Sequence, residues 1–282
     1  MDNGRQSNKD VPWYRFDPND YLARNYASVS SEDHRVVELV RDFFGRHFSS
    51  CRPPAGLRGI DVGTGANLYP ALSMLPFCES ITLYEHAKSN LEWLVEQSAA
   101  NWPSWPDVWQ DFWAVLGVGP YYAELGEHAR QALARRVEVV SGSVFTLDLA
   151  DRRWDMGTMF FVAESITSEP AEFAAAVHGF LRVLRPGAPF FIAFMEKSDG
   201  YEVAGIKFPA VAIDLEDVAS CLDGRADGII LDRIEMGEGS KLRDGYSGML
   251  VACGRASGWQ HAGNGTNGAA FPRSATLPSD RQ

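Results

Sequence analysis

The sequence lacks several features that mark whole classes of protein. Its four cysteines, Cys51, Cys78, Cys221 and Cys253, stand far apart with no C-x-x-C pair. Neither a zinc-ligand spacing nor a dense disulfide framework is written there, so the expectation is buried, reduced thiols and no metal. Positive charge is also scarce. With 26 Lys and Arg against 37 Asp and Glu, the net charge of -11 lacks the basic footprint of a nucleic-acid binder. No apolar run approaches the roughly 18 residues that cross a bilayer. The polar start, MDNGRQSNKDVP, has no signal-peptide character. These absences predict a cytoplasmic protein with neither nucleic-acid nor membrane partners; a monomer or weak homodimer is the expected state.

What is present is an ordinary globular composition: 282 residues, 45% hydrophobic and 22% charged, enough to bury one large core or two small ones. Between Gly56 and Cys253, short apolar runs alternate with stretches of helical periodicity, the pattern of an α/β fold with helices on both faces of a mostly parallel sheet. Strands are expected to end at Ile60-Asp61-Val62 and to run over 80–85, 137–140, 154–161 and 189–195. Two more, 228–236 and 246–253, are separated by a connection too short for a helical crossover and should pair antiparallel. A helix marked by Phe173, Val177, Phe180, Leu181 and Leu184 should start at Ser168 as N-cap and stop at Arg185-Pro186-Gly187. Residues 1–55 are assigned to a lid of cap helices and 56–253 to the main domain. Residues 254–282, poor in apolar side chains, are assigned to a mobile tail. The insertion 101–120, with Trp102, Trp105, Trp109 and Trp113, reads as a packed apolar plug or as a ligand contact.

Asp61-Val62-Gly63-Thr64-Gly65 closes the first strand ahead of a helix carrying Leu68, Leu72 and Leu75, where α/β proteins bind nucleotide-like ligands. A dinucleotide fingerprint needs a third glycine where Leu68 stands, which disfavours a pyrophosphate. Glu85, twenty residues after Gly65, is placed to accept both hydroxyls of a ribose. A ribose without pyrophosphate points to S-adenosylmethionine and methyl transfer. A nicotinamide-dependent oxidoreductase and a non-catalytic nucleoside-binding protein would use the same turn.

Phe16-Asp17-Pro18-Asn19-Asp20-Tyr21-Leu22 with Tyr26, the glycine turn, Leu68-Tyr69, Asn90 and the Leu184-Arg185-Pro186-Gly187 corner together resemble the nicotinamide, phenylethanolamine and thioether/indolethylamine methyltransferase family of class I S-adenosylmethionine-dependent enzymes. The resemblance implies a Rossmann-like, seven-stranded, mostly parallel sheet with an antiparallel last strand and an N-terminal lid. It further implies that Tyr21 and Tyr26 close on the methionine part of the cofactor over Gly63, Thr64 and Gly65. Tyr69 and Asn90 would hold its carboxylate, amine or ribose edge and Glu85 its ribose. His86, Ser143 and Val144 would bracket the adenine, with Ser143 in place of an expected aspartate, and Phe160 would stand beside the cofactor. Cation–π attraction gives the tyrosines a physical motive near a sulfonium.

Methyl transfer needs mainly positioning. Glu164, just past the fourth strand, is the acidic candidate for deprotonating the acceptor or gripping a cationic amine, with Tyr21 beside the reacting methyl. A capping or ion-pairing role for Glu164 is the alternative. Phe161, Phe194 and Tyr201 are expected to wall an apolar substrate pocket, and Phe194 stands where nicotinamide-specific members carry an aspartate. Glu196 is a second possible base. The expected reaction is methylation of a nitrogen on a small aromatic or heterocyclic metabolite of specialised metabolism. An oxygen or carbon acceptor, such as an indole derivative, is the alternative.

Overall fold

The computed structural model describes residues 5–49, 54–147, 154–236 and 245–258. Asp17 starts the first helix, α1 (Pro18–Asn25), by accepting the N–H groups of Asn19 and Asp20 at 2.9 and 3.1 Å, and Pro18 already has a helical φ at the first position. Helix α2 (Ser31–Ser49) buries Val36, Val37, Val40 and Phe44 at helical spacing. The alternating core follows with β1 (Arg58–Val62), α3 (Tyr69–Met74), β2 (Ser80–Glu85) and α4 (Lys88–Ala99). Three short helices, α5 (Gln110–Leu116), α6 (Pro120–Ala123) and α7 (Ala129–Arg136), lead into β3 (Val137–Ser141). Then come β4 (Met156–Phe160), α8 (Pro170–Val183), β5 (Pro189–Glu196) and a hairpin of β6 (Tyr201–Val203) with β7 (Ile206–Phe208). Helix α9 (Leu215–Leu222) and the strands β8 (Ala226–Glu235) and β9 (Gly248–Ala256) complete the chain.

The seven-stranded sheet has the order β3-β2-β1-β4-β5-β9-β8. Strands β1 to β5 are parallel, and β9 runs antiparallel to both β5 and β8. Strand order reverses between β1 and β4, so their carboxyl ends open a crevice at the switch point. The two faces of the sheet divide the core by strand alternation. Along β5, Phe191, Ala193 and Met195 join α2, α3 and α5 on one face, whereas Phe190, Ile192 and Phe194 join α8 and α9 on the other.

The expected strands are present with small shifts. Strand β2 has the expected bounds, β4 begins at Met156 with Trp154 forming an isolated bridge to Leu184, and β9 runs on to Ala256, past the expected end at Cys253. Residues 259–282 of the expected tail, and Cys51, lie outside the described residues, while Cys78, Cys221 and Cys253 are buried free thiols. Helix α8 starts at Pro170 with Glu169 as N-cap, not at Ser168, because the Ser168 hydroxyl accepts the Gln6 N–H at 2.6 Å. All four tryptophans of the insertion are buried: Trp105 and Trp109 lie in a turn of π-helix, Trp113 in α5. They pack on the α2, α3 and α5 face of the sheet, Trp109 at 5.8 Å from the Tyr26 ring. Among the described residues no helix is long and apolar enough to cross a membrane.

Candidate active site

A cavity enclosing about 780 Å³ of non-atom space, part of it open to solvent, lies at the carboxyl ends of β1, β2 and β4. Its floor is the glycine turn. Gly63 has φ +70° and its missing Cβ would fall 2.6 Å from Val162 Cγ2. Only glycine combines that φ with that approach. Gly65, at φ +52°, donates its N–H to Glu85 Oε2 at 2.7 Å, and Glu85 Oε1 accepts from His86 and Ala87 N–H, both at 2.7 Å. Burial pushes the Glu85 carboxyl up while these three N–H groups hold it down. A carboxylate offers about four acceptor positions, so the three backbone bonds leave capacity for a ribose hydroxyl.

Two atoms across the turn are unsatisfied. Asn67 Oδ1 accepts the Tyr69 N–H at 3.3 Å, which directs Nδ2 elsewhere. That Nδ2 and Asn90 Oδ1 are buried without a hydrogen-bond partner among the described residues, and both asparagines line the cavity. One spare donor and one spare acceptor suit the carboxylate and ammonium of an amino-acid end. S-adenosylmethionine therefore fits the residues present: Glu85 for the ribose, Asn67 and Asn90 for the methionine end. His86 and Phe145, both exposed, stand with Ser143 and Val144 at the cavity edge, where an adenine ring would lie. The Ser143 hydroxyl accepts the Phe145 N–H at 3.3 Å. Below the turn, Asp61 is buried with Oδ1 accepting from Thr158 Oγ1 at 2.8 Å, and burial drives its carboxyl up to about 7.

The N-terminal segment covers this floor. Trp13, Phe16, Tyr21 and Tyr26 line the cavity together with Tyr201 of β6. Phe208 is sandwiched between Trp13 and Tyr201, each ring centroid 5.5 Å away. Asp20 Oδ2 accepts the Ala204 N–H at 2.7 Å, tying α1 to the hairpin; this bond first, then Arg24, lowers its pKa. Farther out, Glu172 accepts from Ser7 Oγ and from Asn8 N–H, the latter at 2.8 Å.

The cavity brings together Tyr21, Tyr26, Gly63, Thr64, Gly65, Glu85, His86, Asn90, Ser143, Val144, Phe160, Phe161 and Tyr201, and four of the expected residues stand elsewhere. Tyr69 is a wall residue. Its ring stacks on Phe112 at 5.0 Å and 6°, and its hydroxyl donates to Asp33 Oδ1 at 3.1 Å, which turns it away from the cavity lining. Phe194 packs against Phe173 on the α8 face, because neighbouring residues of a strand point to opposite faces. Glu164 is fully buried outside the cavity lining, with Oε1 accepting Met195 N–H at 3.1 Å and Ser165 Oγ at 3.0 Å, which makes it a brace between β4 and β5. Glu196, also outside the cavity lining, is held by the Arg233 guanidinium at 2.8 Å and by Ser247 at 2.6 Å, and the pairing with Arg233 lowers its pKa. Phe161 sits at φ +59°, an unusual conformation for a bulky residue, and its ring faces the cavity from the end of β4. Asn67, Phe145, Trp13 and Phe16 are further cavity residues; of these, Phe16 opens the N-terminal motif and Asn67 had a sequence signal, two positions past Gly65. Among the described residues, no group of three or more His, Cys, Asp or Glu side chains is arranged to hold a metal ion.

The sequence profile of the NNMT/PNMT/TEMT family matches residues 6–253. No curated protein matches the chain significantly. Among solved structures, an S-adenosylmethionine-dependent methyltransferase from Clostridium acetobutylicum superposes with a TM-score of 0.50 at 8% identity, over 85% of this chain and 98% of that one. The CurJ carbon methyltransferase also reaches 0.50, at 11% identity, over 85% of this chain and 58% of its own. At these identities the likeness establishes the fold, which is the Rossmann-like architecture of class I methyltransferases. With the profile spanning nearly the whole chain and a cavity that fits the cofactor's two ends, the protein belongs to the NNMT/PNMT/TEMT family and is an S-adenosylmethionine-dependent methyltransferase.

Proposed function

We propose that the protein methylates a nitrogen of a small aromatic or heterocyclic metabolite, in specialised metabolism. The observation that carries this reading is the cavity itself: a donor, an acceptor and a buried carboxylate arranged around the glycine turn, roofed by aromatic rings. When bound, the cofactor supplies an electrophilic methyl on sulfur. The chain's own residues then position and exclude water. Glu85, Asn67 and Asn90 would hold the two ends of the cofactor, in the cavity that Tyr21, Tyr26 and Phe161 also line. The phenol and phenyl faces there favour a cationic sulfur over water. Trp13, Phe16 and Tyr201 close the outer side and favour a flat apolar acceptor. Leu68, fully buried where a dinucleotide site needs its third glycine, argues against a nicotinamide cofactor.

The test is mass spectrometry of a metabolite extract incubated with the protein and deuteromethyl-labelled S-adenosylmethionine. A labelled aromatic or heterocyclic product with the methyl on nitrogen supports the reading. A label on oxygen or carbon, or on a macromolecule, contradicts it.

A further inference from the structure

Strand alternation fails at one point beside the cavity. In β4, Met159 joins the α8 and α9 face of the sheet and Phe160 the α2, α3 and α5 face, so a regular strand would turn Phe161 back toward α8. Phe161 lies instead on the same face as Phe160, the two rings edge to face at 6.1 Å. Val162 then takes the α8 face, its side chain filling the space that a Cβ on Gly63 would need. The left-handed φ of +59° at Phe161 makes this break. A bulky side chain with no polar group to bond its own backbone does not favour that conformation, so its surroundings must hold it. We propose that Glu164 is the positioning residue that holds it, its carboxylate standing in for the Phe161 carbonyl in the β4–β5 ladder and so keeping the Phe161 ring in the cavity wall. The inference rests on the methyl-transfer reading above in giving that wall an acceptor to face.

The parallel pairing shows the exchange. Phe160 stands opposite Ala193, and the Phe161 N–H still donates to the Ala193 carbonyl at 2.7 Å. The next bond of a regular parallel ladder would run from the Met195 N–H to the Phe161 carbonyl. That N–H donates to Glu164 Oε1 at 3.1 Å. The turn after β4 is built to keep the carboxylate there. Ser165 Oγ donates to the same oxygen at 3.0 Å, the Ser165 N–H closes on the Val162 carbonyl at 2.9 Å, and the Glu164 carbonyl accepts the Val211 N–H at 2.7 Å. Tyr201, across the cavity wall, donates its hydroxyl to the Ser165 carbonyl at 3.2 Å, so two aromatic wall residues depend on this one turn. Met195 is buried, and a buried N–H left without an acceptor is costly. Without the Glu164 carboxylate, the conformation that satisfies Met195 is an extended residue 161, which returns its own carbonyl to the ladder and carries its ring to the other face of the sheet. Glu164 does not line the cavity, so its effect on the acceptor passes through Phe161.

The test compares crystal structures of the native, Glu164→Gln and Glu164→Ala proteins with S-adenosylhomocysteine, together with their affinity for it and their rate of labelled product formation from deuteromethyl S-adenosylmethionine and a metabolite extract. Glu164→Gln keeps an acceptor for Met195 and should retain both the left-handed Phe161 and the native rate. Glu164→Ala should bring Phe161 to a negative φ and lower product formation by about 10- to 100-fold through the misplaced ring, with S-adenosylhomocysteine affinity unchanged. Should Glu164→Ala alone fail to fold, adding Phe161→Gly should restore folding, because glycine enters either conformation without a Cβ penalty. An unfolded double variant overturns the proposal. So does a Glu164→Ala structure that keeps Phe161 at positive φ, or a Glu164→Gln protein that keeps Phe161 in place and loses turnover, which would make the carboxylate charge the active feature. No labelled product from the native protein removes the functional reading above, while the φ of Phe161 in the variants still decides this one.

Discussion

Glu85 joins two tasks in one side chain. Its oxygens hold the backbone of Gly65, His86 and Ala87, and the same carboxylate faces the cavity where a ribose would sit. Glu85→Ala should therefore weaken S-adenosylhomocysteine binding by about 1.5–3 kcal/mol for the lost charged hydrogen bonding, with a further loss from the loosened turn. Unchanged affinity in calorimetric titration would refute the ribose assignment. Asp61 acts on stability instead. Its folded value of about 7 lies above its ordinary 3.8, so the folded protein holds this proton more tightly than the unfolded chain. That contribution is complete below about pH 4 and is lost as pH rises toward 7. Thermal unfolding of Asp61→Asn, which keeps an acceptor for Thr158, should depend less on pH across this window than the native protein; parallel profiles would contradict the buried, raised carboxyl. At this scale the sequence pointed to Gly63, Gly65 and Glu85 because chain spacing puts them around one turn, and to Asn90 through the family resemblance. It misled at Tyr69 and Phe194, whose directions depend on which partner each ring finds: Phe112 for one, Phe173 for the other.

At the scale of elements, the strands and α8 were legible because apolar periodicity and the Arg185-Pro186-Gly187 stop are local signals. The start of α8 was not, since Ser168 is drawn away by the N-terminal segment 162 residues distant in sequence. The N-terminal strap invites two tests. Tyr21→Phe should impair turnover more than thermal stability, because the ring and its packing on Phe16 remain while the hydroxyl at the cavity is lost. Equal losses would mean that the hydroxyl serves packing. Glu172→Ala removes the acceptor for Ser7 and Asn8 and should speed cofactor release and proteolysis within residues 5–16, with little change in Tm. Native-like proteolysis would show that the aromatic contacts of Trp13 and Phe16 hold the strap by themselves.

For the whole molecule, a mostly parallel sheet whose order reverses at β1 and β4 places one crevice above the glycine turn, and two segments far apart in sequence meet over it: the N-terminal aromatics and the β6–β7 hairpin. The α/β class and the nucleoside character of the site follow from short-range pattern. The closure over the site follows from contacts that span most of the chain. A crystal structure of the protein grown with S-adenosylhomocysteine tests the account directly. The account predicts a ribose hydroxyl on Glu85, the amino-acid end on Asn67 and Asn90, and the sulfur facing Tyr21 and Phe161. A ligand bound in another orientation, or a crevice closed by its own side chains with no place for the sugar, would contradict it.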